Sequence, residues 1–362
     1  MSRLTGRPTL AMVAKQAGVS VSTASLAFSG AGPITPDTKE RVLKAAADLG
    51  YHGPNPLGRQ LRSGRSGIVG VVMGDKPSRV FRDQVATQVL DGLMEVLGEH
   101  RLGVLLVPGI GTAEDQVDPL VESAAMDVAV MVWGAVPGDH HVEVLQQRGI
   151  PLVVGDGVAL DGAALVGIED RSGAAAAVRH LTELGHTRIA EIAMPMFATS
   201  RPGGFVSEDE VATATRYVSR ERLAGFRDVC QPVVTWQTPG TLVEHGRDAA
   251  LAILGPDSPA GERPTAIFAH SDLLAAGAVL ATRELGLRLP EDVSIVGFDG
   301  LDLPWLSPDA LTSVHQPLRE KGVALGHATL EMLEDRAAEA RRIPVSLVAG
   351  TTSGPAQRRE PA

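Results

Sequence analysis

The 362-residue chain has few of the features that crosslink or anchor a protein. Its one cysteine, Cys230, excludes an intrachain disulfide and a cysteine zinc cluster, and a lone thiol of this kind is expected to be a small core residue rather than a redox group. No uncharged apolar run reaches the roughly 18 residues of a membrane span. The opening stretch MSRLTGRPTLAMVAKQAG lacks the apolar core of an export signal. We therefore expect a cytoplasmic protein with no membrane partner.

Motifs of catalysis are also scarce. The chain has no P-loop, no nucleophile elbow and no His-Glu-x-x-His stretch. The stretch GIGTAE at 109–114 has two glycines of a dinucleotide fingerprint but lacks the third. A nucleotide-dependent α/β enzyme remains the alternative of another class, and a cytosolic small-molecule-binding protein is a third possibility. The sequence predicts no catalytic residues, no cofactor and no metal site.

Length and charge indicate a divided molecule. A chain of this length usually forms two or three domains. Residues 1–66 hold nine basic and three acidic residues, a formal charge of +6, whereas the other 296 residues carry −16. A small basic head on an acidic body is typical of a nucleic-acid contact confined to one end. A charged, solvated face without a partner is the alternative.

The first 30 residues have the pattern of two short helices. Thr9 can cap a helix with apolar residues at helical spacing, and Gly18 is placed to end it. Ser20 can cap a second helix, 21–28, after a turn of two or three residues, which is helix-turn-helix spacing. A third helix is predicted from TPDT, which supplies a threonine cap and a proline at the first helical position, to about residue 50.

From residue 67 onward, short apolar runs alternate with amphipathic helices. The runs are GIVGVVM, LGVLLVP, DVAVMVW, IPLVVGD, RIAEIAM, TAIFAHS and VSIVGFD. Continuous apolar runs rich in Val and Ile predict parallel strands covered by helices on both faces. The fold class is therefore α/β behind a small helical head. Ligands of such sheets lie beyond the carboxyl ends of the strands.

The head resembles the DNA-binding region of a known family. TLAMVAKQAGVSVSTASLAFSG, TPDTKERVLKAAADLGY and PNPLGRQLRSGRSG are similar to the head and hinge of the lactose-repressor/galactose-repressor family of bacterial transcription regulators. In that family the second helix lies in the major groove, and a hinge helix forms as a dimer meets its operator. The resemblance implies a double-stranded operator and a homodimer as partners, and the tail has no leucine heptad that would join dimers into tetramers.

The resemblance assigns DNA contacts to positions of the head and hinge. These are Thr9, Ser20, Val21, Ser22, Thr23, Ser25, Leu26, Arg59, Leu61 and Arg62. Val21 and Ser22 would read base edges, while the hydroxyls at 20, 23 and 25 would serve phosphates or the helix cap. Leu61 would wedge between base steps in the minor groove. Without the surrounding match it would be an ordinary core or interface leucine.

Three departures from the family pattern affect the DNA contacts. Leu26 stands where an arginine is frequent, so it offers only apolar contact, for instance to a thymine methyl. YHGPN is one residue longer than the usual motif, and Gly58 replaces a common alanine. Glycine costs about 1 kcal/mol relative to alanine within a helix. We therefore expect a hinge that is disordered without DNA and a partner subunit.

The body resembles the effector-binding core of the same family, which is related to periplasmic sugar-binding proteins. RERLAGF, LTSVHQP and AHSDLLAAGAVLATRELGLRLPEDVSIVGFDG match its recurring blocks. The resemblance implies two similar α/β lobes joined by three crossovers, with a small molecule, most readily a sugar, between them. Candidate effector-binding residues are Phe81, Trp133, Asp156, Arg222, Ser271 and Asp299. A guanidinium donates parallel bonds, and a carboxylate accepts from vicinal hydroxyls.

Each effector candidate also has an ordinary structural role open to it. Asp299 can cap the turn after it, Asp156 can close a loop, and Arg222 can pair with an acidic residue of its own helix. Ser271 stands where the family has Asn, and the next residue, Asp272, is expected to cap a helix. Phe81, Trp133 and also Trp305 are each either a sugar platform or a core or rim aromatic, in a chain with only 3% aromatics.

These observations predict four regions. They are a helix-turn-helix domain at 1–52, a hinge at 53–66, a two-lobed effector and dimerisation core at 67–350 and a flexible tail at 351–362. The long polar stretch at 195–218 is either a flap over the cleft or a surface insertion. The function expected is a sequence-specific repressor controlled by a small molecule. The sequence does not reveal the operator, the effector or the sign of its effect.

Overall fold

A computed structural model describes residues 8–30, 32–53, 64–73, 80–108, 117–135, 138–197, 199, 201–336 and 339–357. The chain divides into two compact units, Met1–Ser66 and Gly67–Ala362. The predicted hinge contacts Arg59, Leu61 and Arg62 lie outside the described residues, as does the GIGTAE stretch.

The first unit contains three helices, α1 (Leu10–Ala17), α2 (Val21–Ser29) and α3 (Pro36–Asp48). Their ends follow the cap residues in the sequence: Thr9, Ser20 and Thr35 each accept a backbone N–H of the first turn. Gly18 ends α1 at a φ of 63°, a conformation that glycine adopts without strain. A core of small apolar residues, Val13, Ala14, Ala24, Ala27, Val42, Ala45 and Ala46, holds the helices together.

The second unit is built on two sheets. In chain order the strands are β1 (Ile68–Met73), β2 (Gly103–Pro108), β3 (Val128–Met131), β4 (Leu152–Gly155), β5 (Ala164–Ile168), β6 (Ile189–Ala193), β7 (Gly204–Val206), β8 (Thr235–Gln237), β9 (Ala266–Ala269), β10 (Ser294–Asp299), β11 (Thr312–His315), β12 (Arg341–Ile343) and β13 (Ser346–Val348). All seven predicted strands are confirmed. The first sheet has the order β12-β5-β4-β3-β1-β2 and the second β13-β11-β10-β9-β6-β8-β7. Pairing is parallel except at β13 and β7.

Helices cover both sheets. In the described part of this unit they are α4 (Gln84–Glu99), α5 (Pro119–Ser123), α6 (His140–Gln147), α7 (Asp170–Glu183), α8 (Glu208–Ala212), α9 (Tyr217–Arg227), α10 (Val243–Leu254), α11 (Asp272–Glu284) and α12 (Leu318–Leu333). Helices α4 and α12 pack together on the first sheet. They approach closely because Gly92 and Gly322 face each other's backbone, where a Cβ on either would collide with a carbonyl oxygen. None of the described helices is long and apolar enough to span a membrane.

The two sheets define two lobes. Lobe 1 comprises β1–β5, β12, α4–α6 and α12, and lobe 2 comprises β6–β11, β13 and α7–α11. The chain passes between the lobes three times, after β5, after β11 and between β12 and β13. This confirms the expected α/β core with two lobes and three crossovers. The carboxyl ends of strands from both sheets therefore meet near the crossovers.

The polar stretch at 195–218 is a surface insertion with its own small core. It supplies the edge strand β7 and helix α8, which begins with a capping box between Ser207 and Glu210. Met196, Phe197 and Val211 pack with neighbours of lobe 2. This packing favours the insertion over a flexible flap. Cys230 is half-buried beside the same lobe's core, and burial raises the pKa of its thiol.

The expectation of a flexible tail is wrong for residues 351–357. Thr352 is fully buried and its hydroxyl donates to the carbonyl of Ile295 at 2.7 Å. The backbone N–H of Ala356 donates to Leu184 at 2.8 Å. These residues satisfy backbone groups of lobe 2 that would otherwise be buried without partners. Residues 358–362 lie outside the described range.

Candidate DNA-binding and effector sites

Helix α2 has a buried face and an exposed one. Ala24 and Ala27 are 0% and 3% exposed, whereas Val21 is 50% exposed and Ser22 is also at the surface. Small side chains on the outer face allow a backbone to come close to a groove. The structure thus leaves the predicted base readers, Val21 and Ser22, accessible, and their contact with bases stays a prediction.

The hydroxyl groups at the start of α2 form a cluster. Ser20 Oγ accepts the backbone N–H of Thr23 at 3.1 Å and lies 2.7 Å from Ser22 Oγ and 2.8 Å from Thr23 Oγ1. Thr9 caps α1 in the same way, accepting from Met12 at 3.3 Å. Ser20 therefore caps α2, which is one of the two roles expected for it. Contact of these hydroxyls and of the half-buried Ser25 with phosphates stays a prediction.

Leu26 is not a free side chain. It is half-buried, and a Cβ at Gly32 would lie 3.0 Å from its Cδ2. The Leu26 side chain thus packs against the backbone of the turn after α2. Phe28 is held on the inner side by an edge-on contact with Tyr51, with ring centroids 5.5 Å apart.

In the second unit, Arg222 is the most extensively contacted of the candidate residues. It lies on α9 and is 4% exposed. Its Nε donates to Asp170 Oδ1 at 2.8 Å, and its Nη1 donates to the carbonyl of His270 and lies 3.7 Å from Asp299 Oδ1. The guanidinium carbon lies 3.6 Å from the centre of the Phe298 ring. Two of the three guanidinium nitrogens, Nε and Nη1, thus contact groups of the protein.

The expected alternative for Arg222, a pair on its own helix, is wrong. Asp228 instead binds Arg171 through two bonds of 2.7 Å. Asp170 is 52 residues from Arg222 in the chain, at the first position of α7. The pair therefore joins α9 to the segment that has just crossed between the lobes.

Asp299 ends β10 with a φ of 132°, which is unusual for a residue with a side chain. Its Oδ1 accepts from Gln316 Nε2 at 2.6 Å, and its Oδ2 accepts the backbone N–H of Asp272 at 3.3 Å. The carboxylate thus contacts the crossover after β11 and the start of α11. Backbone strain of this kind clusters at functional sites.

The cap of α11 is Ser271, and not Asp272 as was expected. Ser271 caps α11, because its backbone is extended and its Oγ accepts from Leu274 at 3.3 Å. Asp272 is the first helical residue, and its carboxylate reaches away from the helix. It accepts the Leu301 N–H at 2.7 Å and the Ser313 hydroxyl at 2.5 Å. The expectation that Asp272 caps the helix is therefore wrong. The Ser271 hydroxyl has a structural role, because it makes the cap.

Asp156 lies in lobe 1 just after β4, also at positive φ, 48°. Its Oδ2 accepts from Lys321 Nζ at 2.5 Å. The same ammonium donates to Gln316 Oε1 at 3.3 Å and lies 5.4 Å from the centre of the Trp133 ring. Since Gln316 also binds Asp299, a continuous path of contacts runs from lobe 2 to Asp156 in lobe 1.

Burial raises the pKa values of three carboxyl groups in this part of the molecule. It raises the pKa of Asp170 to about 6, against the opposing effect of Arg222. Burial also raises the pKa of Asp272 to about 6 and that of Asp299 well above its ordinary value, with Asp272 and Asp83 adding repulsion at Asp299. Carboxyl groups with perturbed pKa values are common both at functional sites and in structural ion-pair networks.

A second set of contacts joins the lobes at the same ends of the sheets. Arg82 Nη2 donates to Glu244 Oε1 at 2.9 Å, and the hydroxyl of Thr241 donates to Asp83 Oδ2 at 3.0 Å. Arg82 and Asp83 precede α4 of lobe 1, and Thr241 and Glu244 lie at the start of α10 of lobe 2.

Comparison with known proteins agrees with both units. Residues 9–55 match the model described as bacterial regulatory proteins, lacI family, and residues 178–353 match a periplasmic binding protein-like domain. The HTH-type transcriptional regulator reg1 of Streptomyces lividans is 32% identical over 361 residues, which cover 97% of this chain and 99% of reg1. This chain belongs to the lacI family. It is a DNA-binding transcriptional regulator with a periplasmic-binding-protein-like effector domain.

Solved structures of other lacI-family proteins share the fold over most of the chain. A lac repressor dimer bound to operator and the anti-inducer ONPF has a TM-score of 0.73 at 23% identity, covering 96% of this chain and 100% of that one. A complex of the regulator CelR with cellobiose has a TM-score of 0.63, also at 23% identity and with the same coverage. At these identities the likeness concerns the fold.

The aromatic candidates of this lacI-family chain lie in different surroundings. Trp133 is half-buried beside Lys321, whereas Phe81 is 56% exposed and Trp305 is 47% exposed in a short 3₁₀ turn, Pro304–Leu306. Of the three, Trp133 is the one next to the polar cluster. A role of any of them as a sugar platform stays a prediction.

Three residues of the cluster were not predicted from the sequence. Gln316 belongs to the LTSVHQP block, so the resemblance pointed to its segment. Asp170 lies two residues after an apolar run, β5, near the strand end where ligands of α/β sheets often bind. Lys321 has no local signal, because a lysine on an amphipathic helix is ordinarily solvated.

Proposed function

We propose that this protein is a repressor that binds a palindromic operator as a homodimer and is controlled by a sugar held between its two lobes. The observation that supports this most is the path of buried contacts from Arg222 through Asp299, Gln316 and Lys321 to Asp156. This path contains one guanidinium and the carboxylates of Asp156 and Asp299, two residues with positive φ.

The DNA contact is proposed for the outer face of α2. The head is basic, at +6 over residues 1–66, while the rest of the chain is acidic. Phosphate contacts release counterions, so binding should weaken steeply as salt rises. A palindromic site matches a twofold dimer with one head on each half-site. An operator target also supports a cytoplasmic location.

The effector is proposed to be a sugar because the cluster is rich in acceptors for hydroxyl groups. A carboxylate accepts from two vicinal hydroxyls, and the Trp133 ring offers an apolar face nearby. The CelR structure, of the same fold, is a complex with cellobiose. That complex supports a sugar as the first class to test.

Control of DNA binding is proposed to follow from linkage. The Arg82–Glu244 and Asp83–Thr241 contacts join the lobes, so a ligand that prefers one degree of closure changes the balance between open and closed forms. If the operator also prefers one form, each ligand alters the affinity of the other by the same factor.

DNA binding is tested with duplexes selected from a random pool, at several salt concentrations. Ser22→Glu should remove binding, because it places a negative charge on the exposed face of α2. Gln231→Glu adds the same charge at an exposed position of lobe 2 and should leave binding unchanged. A folded protein that binds no duplex at low salt would refute the proposal.

A further inference from the structure

Lys321 is a buried cation in the path of contacts that runs from Arg222 to Asp156. It is 1% exposed, on the first turn of α12, with its ammonium between Asp156 Oδ2 and Gln316 Oε1. Burying an ammonium group is costly, and a buried ion pair is weak evidence of a stabilising role. What Lys321 does here is to place a positive charge beside the Asp156 carboxylate.

The two oxygens of Asp156 are in different situations. Oδ2 is bound by Lys321, whereas Oδ1 is buried and has no hydrogen-bond partner among the described residues. Asp170 repeats this arrangement, since Arg222 Nε binds its Oδ1 while its buried Oδ2 has no partner in the same part of the chain. Each carboxylate is thus neutralised on one side and open on the other.

This arrangement discriminates between ligand charges. An open oxygen whose charge is already balanced accepts a hydroxyl proton without needing a cation on the ligand. A phosphate or carboxylate on the ligand would lose its hydration beside further buried acidic groups, Asp272 and Asp299. An ammonium on the ligand would compete with Lys321 for a carboxylate that is already paired.

We propose that Lys321 makes this cleft select an uncharged polyhydroxylated effector over its amino and phosphorylated derivatives. The inference rests on the proposed sugar-binding function. With Lys321 in place the Asp156–Lys321 pair is neutral. Removal of the ammonium leaves one buried negative charge, which an ammonium group on the ligand can balance instead. Lys321→Met should therefore shift the preference toward amino sugars.

The test compares matched ligands by titration calorimetry. The probes are cellobiose, glucose, the 2-, 3- and 6-amino derivatives of glucose, and glucose 6-phosphate, against the full-length wild type, Lys321→Met and the double variant Lys321→Met/Asp156→Asn. We expect the wild type to prefer neutral sugars. In Lys321→Met the preference should move toward at least one amino sugar by about tenfold. The double variant lacks both charges, so its preference should return to that of the wild type.

Each other outcome is informative. Equal weakening of neutral and amino sugars in Lys321→Met, or a wild type that prefers glucose 6-phosphate, would overturn the selectivity assigned to Lys321. Lys321→Gln replaces Lys321→Met if circular dichroism shows that the latter is unfolded. If the wild type binds its operator but none of these sugars, the sugar effector itself is refuted, and the role of Lys321 with it.

Discussion

Arg222 and Asp170 form a buried ion pair, with Nε 2.8 Å from Oδ1 and side chains only 4% and 2% exposed. The pair joins α9 of lobe 2 to the first residue after the crossover from β5. The guanidinium is therefore held by the helix that follows the first crossover between the lobes.

Loss of Arg222 should destabilise the second unit strongly. Arg222→Met leaves the Asp170 carboxylate buried without its cation, which typically costs about 3–5 kcal/mol. Addition of Asp170→Asn should recover part of the loss, because the uncompensated charge is removed. Urea denaturation of the three proteins measures both effects.

The exposed pair Arg171–Asp228 supplies a matched control. Its side chains are 55% and 42% exposed, so solvent screens the pair and Arg171→Met should change stability little. Equal losses in Arg171→Met and Arg222→Met would contradict the importance assigned to burial.

Asp272→Asn should alter the dependence of stability on pH. The pKa of Asp272 rises from 3.8 to about 6 on folding, so between these values the folded state binds more protons and the free energy of unfolding falls as pH rises. The variant lacks the contribution of Asp272 to this dependence, while Asp170 and Asp299, whose pKa values burial also raises, remain in both proteins. The stability of the wild type relative to Asp272→Asn should therefore be greater at pH 5 than at pH 7, by about 1 kcal/mol.

The comparison is made by urea denaturation at both pH values. His186 and His270, whose pKa values burial lowers, titrate in both proteins and largely cancel in the difference. Asp228→Asn is the control, because Arg171 holds the pKa of Asp228 below its ordinary value and the group stays ionised across this range. If the free energy of unfolding of the wild type, relative to Asp272→Asn, increased from pH 5 to pH 7, ionisation of Asp272 would not destabilise the folded state.

Leu26→Arg should change operator preference at one position of each half-site. Arginine in this position of α2 can donate two bonds to a guanine, whereas leucine offers only apolar contact. Selection of bound duplexes from a random pool, for the wild type and the variant, measures the change. Because Leu26 packs over Gly32, thermal stability must be measured in parallel. An unchanged preference in a folded variant would place residue 26 outside the groove.

Seven apolar strands were predicted, whereas β5, which is also apolar and buried, and the short strands were not. Strands such as β1 and β10 are buried on both faces, so their sequences are apolar throughout. Strands β7, β8 and β13 have three residues each and lie at or next to an edge of the second sheet. Their formation depends on pairing with a neighbour, which leaves no periodic pattern in the sequence.

The candidate site was predictable in part. Arg222, Asp299 and Asp156 were found through motif position, but their partners Asp170 and Lys321 lie 52 and 165 residues away from the groups they bind. Only the fold brings such pairs together. The cap of α11 has a local cause, since Ser271 has the extended backbone of a cap residue and Asp272 is already helical. The sequence did not decide which of these two neighbours would be the cap.

The central claim is that a ligand in the cleft controls DNA binding. The most direct test is to measure operator affinity with and without a saturating concentration of a sugar that stabilises the wild type. The account predicts that the sugar changes the affinity of the wild type at constant salt, and that Arg222→Met with Asp170→Asn binds operator but loses the response. An operator affinity that stays the same with and without bound sugar would contradict it.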